Sequence, residues 1–172
     1  DILRTAVSIL SHLDPDCQDN SADANLRKSK RLLAQIPTII GHMQNSIESK
    51  EFVAPNPNLS HSANLLYMMT GSEPTPEAEK VMDVSLVLYA EHDYNASTFT
   101  SRVISGTLGD LHGAVTGAIA ALKGKLHGGA NEAAMDMLAD IRKDIGPEND
   151  IGKVTDWMHQ AFADKRKLMG FG

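Results

Sequence analysis

The sequence predicts an all-α protein built from several packed helices. Apolar residues recur at helical spacing along most of the 172 residues, and no stretch alternates apolar and polar residues as a half-buried strand does. Hydrophobic residues make up 42% of the chain but aromatic residues only 5%, so aliphatic side chains, methionine and alanine must fill the core. Such a composition favours closely packed helices over a sheet sandwich.

The first half of the chain divides into four predicted helices. The first ends at Asp14-Pro15, and the second begins near Ala24. The third stops at Gly71, and the fourth starts at Thr75-Pro76, where the threonine can cap the helix and the proline fits its first turn. The fourth helix carries apolar residues on nearly every face, so we expect it to be buried.

Polar and basic residues around the start of the second helix are predicted to be exposed. Residues 14–23 form a polar loop in this interpretation, and Lys28, Lys30 and Arg31 form a solvated basic face. Cys17 is the only cysteine, which excludes an internal disulfide, and its acidic surroundings argue against a nucleophilic role.

The second half of the chain contains four more predicted helices. Two of them run over residues 97–108 and 111–123, and the latter carries small residues spaced for close helix packing. Another spans residues 132–143. The last helix begins at Asp150 and ends before three cations at residues 165–167, which suit the negative end of a helix dipole.

A histidine that precedes two glycines separates two of these helices. His127 stands before Gly128 and Gly129, and Asn131 or the turn before it can cap the next helix. The positive end of that helix disfavours a charged imidazolium ring, so we expect a neutral histidine that donates a hydrogen bond toward a carbonyl oxygen. From these residues alone, a glycine-rich connection that only separates two helices is the alternative.

Read together with a second histidine segment, Tyr89-Ala90-Glu91-His92-Asp93-Tyr94-Asn95, this stretch resembles the citrate synthase family. The resemblance is densest over residues 86–137, and it implies an all-α, citrate-synthase-like bundle. Several matching stretches in the family's order are far more specific than a single His-Gly-Gly. These stretches are residues 1–8, 89–98, 99–103, 117–124, 125–133 and 169–172.

The resemblance implies the roles of the site residues. Citrate synthases join oxaloacetate to an acyl-CoA and then hydrolyse the thioester of the product, and His127 matches the histidine that donates to the thioester oxygen. His92 and Asn95 match positions that bind oxaloacetate. The residues implied for CoA binding are Leu126, Gly128, Lys167, Leu168, Met169, Gly170 and Phe171.

The domain organisation follows from the same resemblance. Residues 1–126 would be part of a large helical domain, and residues 127–172 the hinge and the start of a small domain, so the bundle is expected to be incomplete. We expect an internal segment of a longer chain, because the family's second active-site histidine, catalytic aspartate and oxaloacetate-binding arginines match nothing here. The segment alone is then expected to be inactive. A non-catalytic helical dimerisation module that retains the family fold is the alternative.

The implied partners are oxaloacetate, acetyl-CoA or propionyl-CoA, and a second copy of the chain in a homodimer. No cofactor is expected, since the acyl-CoA is a substrate. The similarity of residues 89–94 to 2-methylcitrate synthases favours propionyl-CoA, although residues 107–110 fit bacterial citrate synthases equally.

Charge and composition exclude several other classes of protein. The net charge of −6 argues against a nucleic-acid surface, and no apolar run approaches the roughly 20 residues of a membrane span. No signal-peptide pattern opens the sequence, so a cytoplasmic location is expected. The histidines lack the spacing of metal ligands and no cysteine cluster accompanies them, so no metal site is predicted.

Overall fold

A computed structural model describes residues 1–91, 93–147 and 150–168, and these residues form helices and no strand. The predicted all-α class is confirmed. The chain divides into two compact units, Asp1–Ala121 and Leu122–Gly172. In chain order the helices are α1 (Ile2–Leu13), α2 (Ala22–Ile47), α3 (His61–Thr70), α4 (Pro76–Tyr89), α5 (Ala96–Gly106), α6 (Leu111–Leu122), α7 (Gly129–Ile145) and α8 (Ile151–Ala163).

The long helix α2 organises the first unit, since it packs against both α1 and α3. Val7 of α1, Leu32 of α2 and Met68 of α3 are buried in this layer. Asn45 of α2 is also buried, and its Nδ2 donates to the backbone oxygen of Met68 over 2.8 Å. No helix of the described residues has both the length and the hydropathy that a bilayer crossing requires.

Helix boundaries with local sequence signals lie where they were predicted. α3 ends at Gly71, whose φ of 77° is left-handed, and α4 begins after Thr75, whose hydroxyl accepts from the amide of Ala78 over 3.2 Å. Asp150 caps α8 by accepting from two backbone amides. These signals succeed because a cap depends only on residues within one turn of the helix end.

The segment between α1 and α2 is largely exposed, as predicted, but side chains of α2 hold it in place. Lys28 is completely buried, and its Nζ donates to the backbone oxygens of Cys17 and Asp19 over 3.3 and 2.6 Å. Arg31 pairs with both carboxylate oxygens of Asp14, over 2.9 and 2.6 Å, and also with Asp16. The predicted solvated face was therefore wrong for Lys28 and Arg31, because both side chains reach back to the preceding segment.

Helix α4 is exposed, whereas the sequence predicted a buried helix. None of its residues is buried, and Val81 and Leu88 are 66% and 71% exposed. Among the described residues α4 packs chiefly against α3, and Val81 and Leu88 stay exposed. The expectation of a buried helix was wrong for the described residues, because burial on all faces needs further protein around the helix.

The second unit contains α7 packed against α8. Ile141 of α7 and Ala161 of α8 are buried, and the indole Nε1 of Trp157 donates to Asp144 over 2.9 Å. The guanidinium group of Arg166 lies 4.7 Å from the centre of the Trp157 ring. One of the three predicted helix-end cations therefore stacks on an aromatic ring instead of covering the last carbonyl groups of α8.

Candidate functional site

His127 lies in a turn that backbone groups close immediately before α7. The amides of His127 and Gly129 both donate to the backbone oxygen of Gly124, over 2.9 and 3.2 Å, and the oxygen of His127 accepts from Ala130 over 3.1 Å. His127 is half-buried. The turn thus fixes the backbone of His127 while a ligand can still reach its side chain.

Gly128 is required in this turn because a neighbouring backbone oxygen leaves no space for a side chain. A Cβ atom at this position would lie 2.3 Å from the oxygen of Leu122 and 2.8 Å from its Cδ1. The φ and ψ of Gly128 are −63° and −28°, which any residue can adopt. The requirement is therefore for close approach and not for unusual backbone conformation.

The start of α7 carries no side-chain cap. Gly128 is the N-cap residue and makes no side-chain hydrogen bond, while Asn131 already lies inside the first turn. Of the two predicted positions for the cap, Asn131 was wrong and the turn before it was right, because the backbone becomes helical at Gly128. The first amides of α7, which carry the positive end of its dipole, therefore lie directly after His127.

A cavity of about 590 Å³ lies in the second unit at this turn. Three lysines, two carboxylates and the side chain of Leu126, which is 94% exposed, contribute to its lining. The structure thereby brings together Leu126 and Lys167, both predicted from the sequence. The lining residues are Lys123, Lys125, Leu126, Gly129, Glu132, Ala133, Asp136 and Lys167.

Several charged residues of this cavity were not singled out by the sequence analysis. Lys123 and Lys125 flank the glycine that accepts the two turn hydrogen bonds, and Glu132 and Asp136 are four residues apart on α7. That spacing places the two carboxylates on one face of the helix and was readable from the sequence. The three lysines suit a ligand that carries phosphate groups and Leu126 suits an apolar portion, whereas the two carboxylates add negative charge that repels phosphate.

The other predicted CoA residues have different positions. Gly128 lies in the turn described above, and the Leu168 side chain is only 9% exposed. Met169, Gly170 and Phe171 lie outside the described residues, as does His92, which was predicted to bind oxaloacetate.

Asn95 belongs to the first unit and caps α5. Its Oδ1 accepts from the amide of Thr98 over 2.8 Å and from the hydroxyl of Ser97 over 2.6 Å. In the same segment the guanidinium group of Arg102 lies 5.5 Å from the centre of the Tyr94 ring. The side-chain oxygen of Asn95 therefore has a structural task, and Arg102 adds a cation to which the sequence analysis gave no role.

Three side chains of the types that bind metal ions lie close together in the first unit. Among the described residues, Cys17, Asp110 and His112 place one ligand atom each within 4.8 Å of one another. Cys17 follows α1, whereas the other two residues stand at the start of α6. No sequence spacing could have indicated this group, because tertiary packing joins two distant parts of the chain.

Comparison with known proteins places these features in a family. The family model described as citrate synthase, C-terminal domain, matches residues 1–172. Citrate synthase of Heyndrickxia coagulans is 47% identical over 172 residues, which are 100% of this chain and 44% of that protein. A 2-methylcitrate synthase of Mycobacterium tuberculosis is 41% identical over 172 residues, again 100% of this chain and 42% of that protein.

A solved structure gives the same relationship. It is the ternary complex of carboxymethyl coenzyme A and oxaloacetate with citrate synthase from Thermoplasma acidophilum. The match has a TM-score of 0.84 at 29% sequence identity, and it covers 99% of this chain and 43% of that chain. The chain thus spans less than half the length of the relatives that it matches.

Proposed function

This chain belongs to the citrate synthase family, and on that premise we propose that it forms part of an enzyme that condenses oxaloacetate with an acyl-CoA. The products would be citrate or 2-methylcitrate and free CoA. Because the chain spans 44% of its relative from Heyndrickxia coagulans, the activity is proposed for the whole protein. The observation that carries the proposal is the position of His127, at the start of α7 and next to a lysine-lined cavity.

His127 is proposed to donate a hydrogen bond to the thioester oxygen of the acyl-CoA. Removal of a proton from the carbon next to the thioester leaves negative charge on that oxygen, and a fixed donor stabilises the charge. The backbone-closed turn supports this role, as do the amides at the start of α7, whose dipole also favours a developing anion. The carboxylate that removes the proton is not assigned to a residue of this chain.

The cavity beside the turn is proposed to receive CoA. Lys123, Lys125 and Lys167 supply cations that suit its phosphate groups, and the exposed side chain of Leu126 offers an apolar contact for its pantetheine portion. Gly128, Leu168, Met169, Gly170 and Phe171 remain the other predicted CoA residues. No bound cofactor is part of the proposal, since the acyl-CoA is a substrate.

Oxaloacetate is proposed to bind at the segment that contains His92 and Asn95. The Oδ1 atom of Asn95 caps α5, and its amide nitrogen is the kind of donor that suits a substrate carboxylate. Arg102, on α5, is a further cation of this segment. Whether His92 and Asn95 bind oxaloacetate stays a prediction that affinity measurements on variants can test.

The preferred acyl group stays open between acetyl and propionyl. The segment at residues 89–94 favours propionyl-CoA, whereas relatives of both names match the whole chain. One methylene changes discrimination by only about 1–3 kcal/mol in an apolar pocket, so both substrates are expected to react at different rates. Parallel measurement of kcat/KM for acetyl-CoA and propionyl-CoA decides the order.

A second copy of the chain is proposed to cover α4. Three exposed valines, Leu88 and Tyr89 give this helix more exposed apolar surface than isolated surface residues would. Sedimentation of the full-length protein should then give the mass of a dimer. The same surface is the observation that favours the alternative of a non-catalytic dimerisation module, which predicts a dimer without turnover. A cytoplasmic location stays a prediction.

The decisive experiment measures thiol release by the full-length protein with oxaloacetate and each acyl-CoA. Replacing His127 with alanine should lower kcat by about 10²- to 10³-fold, as expected for the loss of one donor to a developing oxyanion. The KM for oxaloacetate should change little, because the role of His127 concerns the acyl-CoA.

His159→Ala is the matched control, since His159 is an exposed histidine of α8 in the same unit. It should retain the wild-type kcat. Equal turnover by His127→Ala and the wild type would refute the role given to His127. The isolated 172-residue chain is expected to show no turnover, and thiol release by that chain would contradict this expectation.

A further inference from the structure

His112 has an environment that the proposed acyl transfer does not explain. Its side chain is completely buried at the start of α6, and neither Nδ1 nor Nε2 has a hydrogen-bond partner among the described residues. A buried imidazole normally satisfies both ring nitrogens, because leaving them without partners costs their full desolvation energy. The position of this ring therefore needs a further interaction.

Two carboxylates and one thiol lie near this ring. Its Nδ1 lies 3.9 Å from Oδ1 of Asp110, its Nε2 lies 3.6 Å from Oδ2 of Asp14, and the thiol of Cys17 completes the group. Both carboxylate distances exceed the length of a hydrogen bond. Donor atoms of Cys17, Asp110 and His112 lie within 4.8 Å of one another, which leaves room for an ion between them.

A charged histidine between the two carboxylates is the simplest competing interpretation. It is disfavoured because the ring is completely buried and neither carboxylate lies within hydrogen-bond distance of it, so a buried charge would be poorly compensated. The cations Lys28 and Arg31 are also nearby, and both of them act against an imidazolium ring. A neutral ring, in contrast, has one nitrogen lone pair with which it can bind a metal ion.

We propose that Cys17, Asp110 and His112 bind a divalent transition-metal ion of the zinc class. Thiolate, imidazole and carboxylate are the ligand types that zinc accepts, and three protein ligands leave a fourth position for water. The thiol of Cys17 lies in this buried group of ligand atoms. Binding converts it to a thiolate and releases its proton to the solvent. The ion together with one thiolate and one carboxylate is then electrically neutral.

Asp14 has a positioning role in this proposal. If Nδ1 of His112 binds the metal, its Nε2–H points toward the carboxylate of Asp14, which Arg31 holds through two hydrogen bonds. A histidine that binds a metal commonly donates its second nitrogen to a carboxylate, which fixes the ring orientation. The 3.6 Å separation would shorten to a hydrogen bond when the ion is bound.

The ion would join two parts of the first unit that already meet. Asn20, which lies in the segment before α2, donates from Nδ2 to the backbone oxygen of Leu108 over 3.0 Å. Asp110 holds the start of α6 by accepting from the amide of Gly113 over 2.8 Å. A metal bridge from Cys17 to α6 would therefore stabilise this contact. This proposal does not depend on acyl transfer.

The test is a titration of the purified full-length protein with Co²⁺, followed by absorption spectroscopy. A saturable thiolate-to-cobalt charge-transfer band in the near ultraviolet is expected, at one ion per chain. Cys17→Ser should abolish that band and weaken binding by at least about tenfold. Zn²⁺ should raise the unfolding temperature of the wild type but not of Cys17→Ser, because a ligand stabilises only the state that it binds.

Further variants separate this site from the exposed histidines. His61→Gln changes an exposed histidine of the same unit and should leave the cobalt spectrum unchanged. Asp14→Asn should keep the charge-transfer band but weaken binding about 10- to 100-fold, as expected for a residue that positions a ligand. His112→Gln should also lose binding. If that variant does not fold, Cys17→Ser still tests the site.

Two results would overturn the proposal. One is the absence of a saturable cobalt spectrum in the wild type. The other is an identical spectrum, or identical stabilisation by zinc, in the wild type and Cys17→Ser, which would place the ion at other residues. Neither result bears on thiol release from acyl-CoA, so a failure here is distinguishable from a failure of the proposed function.

Discussion

Two connecting segments of the molecule are held in opposite ways. Between α1 and α2, the charged side chains of Lys28 and Arg31 reach back from the helix and bind the backbone and carboxylates of the segment. Before α7, the oxygen of Gly124 accepts two backbone hydrogen bonds, and Gly128 has no space for a side chain. The first segment has two backbone turns of its own but depends on side chains of α2, whereas the turn before α7 is closed by backbone hydrogen bonds.

The difference explains which segment can carry a ligand site at its surface. A side chain that holds a loop cannot also contact a ligand. Lys28 is an example, since it holds the loop and is completely buried. A loop that its backbone holds keeps its side chains at the surface, as Lys125 and Leu126 show beside the 590 Å³ cavity. Rigid backbone with accessible side chains is the arrangement that a binding site requires.

Among the substitutions that test this comparison, Gly128→Ala is expected to cause the largest loss of stability. The new Cβ would lie 2.3 Å from the backbone oxygen of Leu122, and a backbone atom cannot move aside without shifting the turn. The loss of stability should reach about 3 kcal/mol, which is the upper part of the range for overpacking. Urea unfolding measures it, and thiol release should fall as well, because His127 moves with the turn.

Gly106→Ala is the matched control for this substitution. A Cβ at Gly106, in the last turn of α5, would meet nothing within 4 Å. Alanine there should be neutral or stabilise by up to about 1 kcal/mol, since it restricts the unfolded chain. If Gly128→Ala and Gly106→Ala unfold at the same urea concentration, the turn before α7 does not depend on close backbone approach.

The sequence predicted the turn before α7 better than the segment between α1 and α2. The two glycines after His127 indicate a close turn by themselves, as Thr75-Pro76 and Gly71 indicate helix ends, because all of these signals act within one helical turn. Asn131 shows the limit of such local signals. Asparagine is a common helix cap, but α7 starts closer to His127 than Asn131 does.

Tertiary partners account for the predictions that failed. A basic cluster on a helix is normally solvated, and nothing local in the sequence shows that carbonyl groups of the preceding segment will surround Lys28. Periodicity likewise describes α4 as apolar on every face, but it does not say which protein covers those faces. The group around His112 was missed for the same reason, because Cys17 reaches it only in the folded chain.

Lys28→Met should have the next largest effect and tests the segment between α1 and α2. Methionine keeps most of the volume but removes the ammonium group that donates to two backbone oxygens. These oxygens would lose a buried partner, which should lower the free energy of unfolding by about 1–3 kcal/mol. The exposed Lys30→Met is the control and should change stability by less than about 0.5 kcal/mol. Equal unfolding midpoints for both variants would show that the buried ammonium group does not hold the segment.

The smallest expected effect is on stability at low pH, and it concerns the segment between α1 and α2. Hydrogen bonds from Arg31 hold the pKa of Asp14 below its ordinary value, although burial acts in the other direction. Stability from this pairing is therefore complete above the unfolded-state pKa of about 3.9 and is lost as the pH falls through the lower folded-state pKa. Asp14→Asn should be less stable than the wild type above about pH 4, with a shallower loss in acid, whereas the exposed Asp140→Asn should follow the wild type. Parallel acid-unfolding curves for Asp14→Asn and the wild type would mean that the ion pair with Arg31 contributes nothing to the segment.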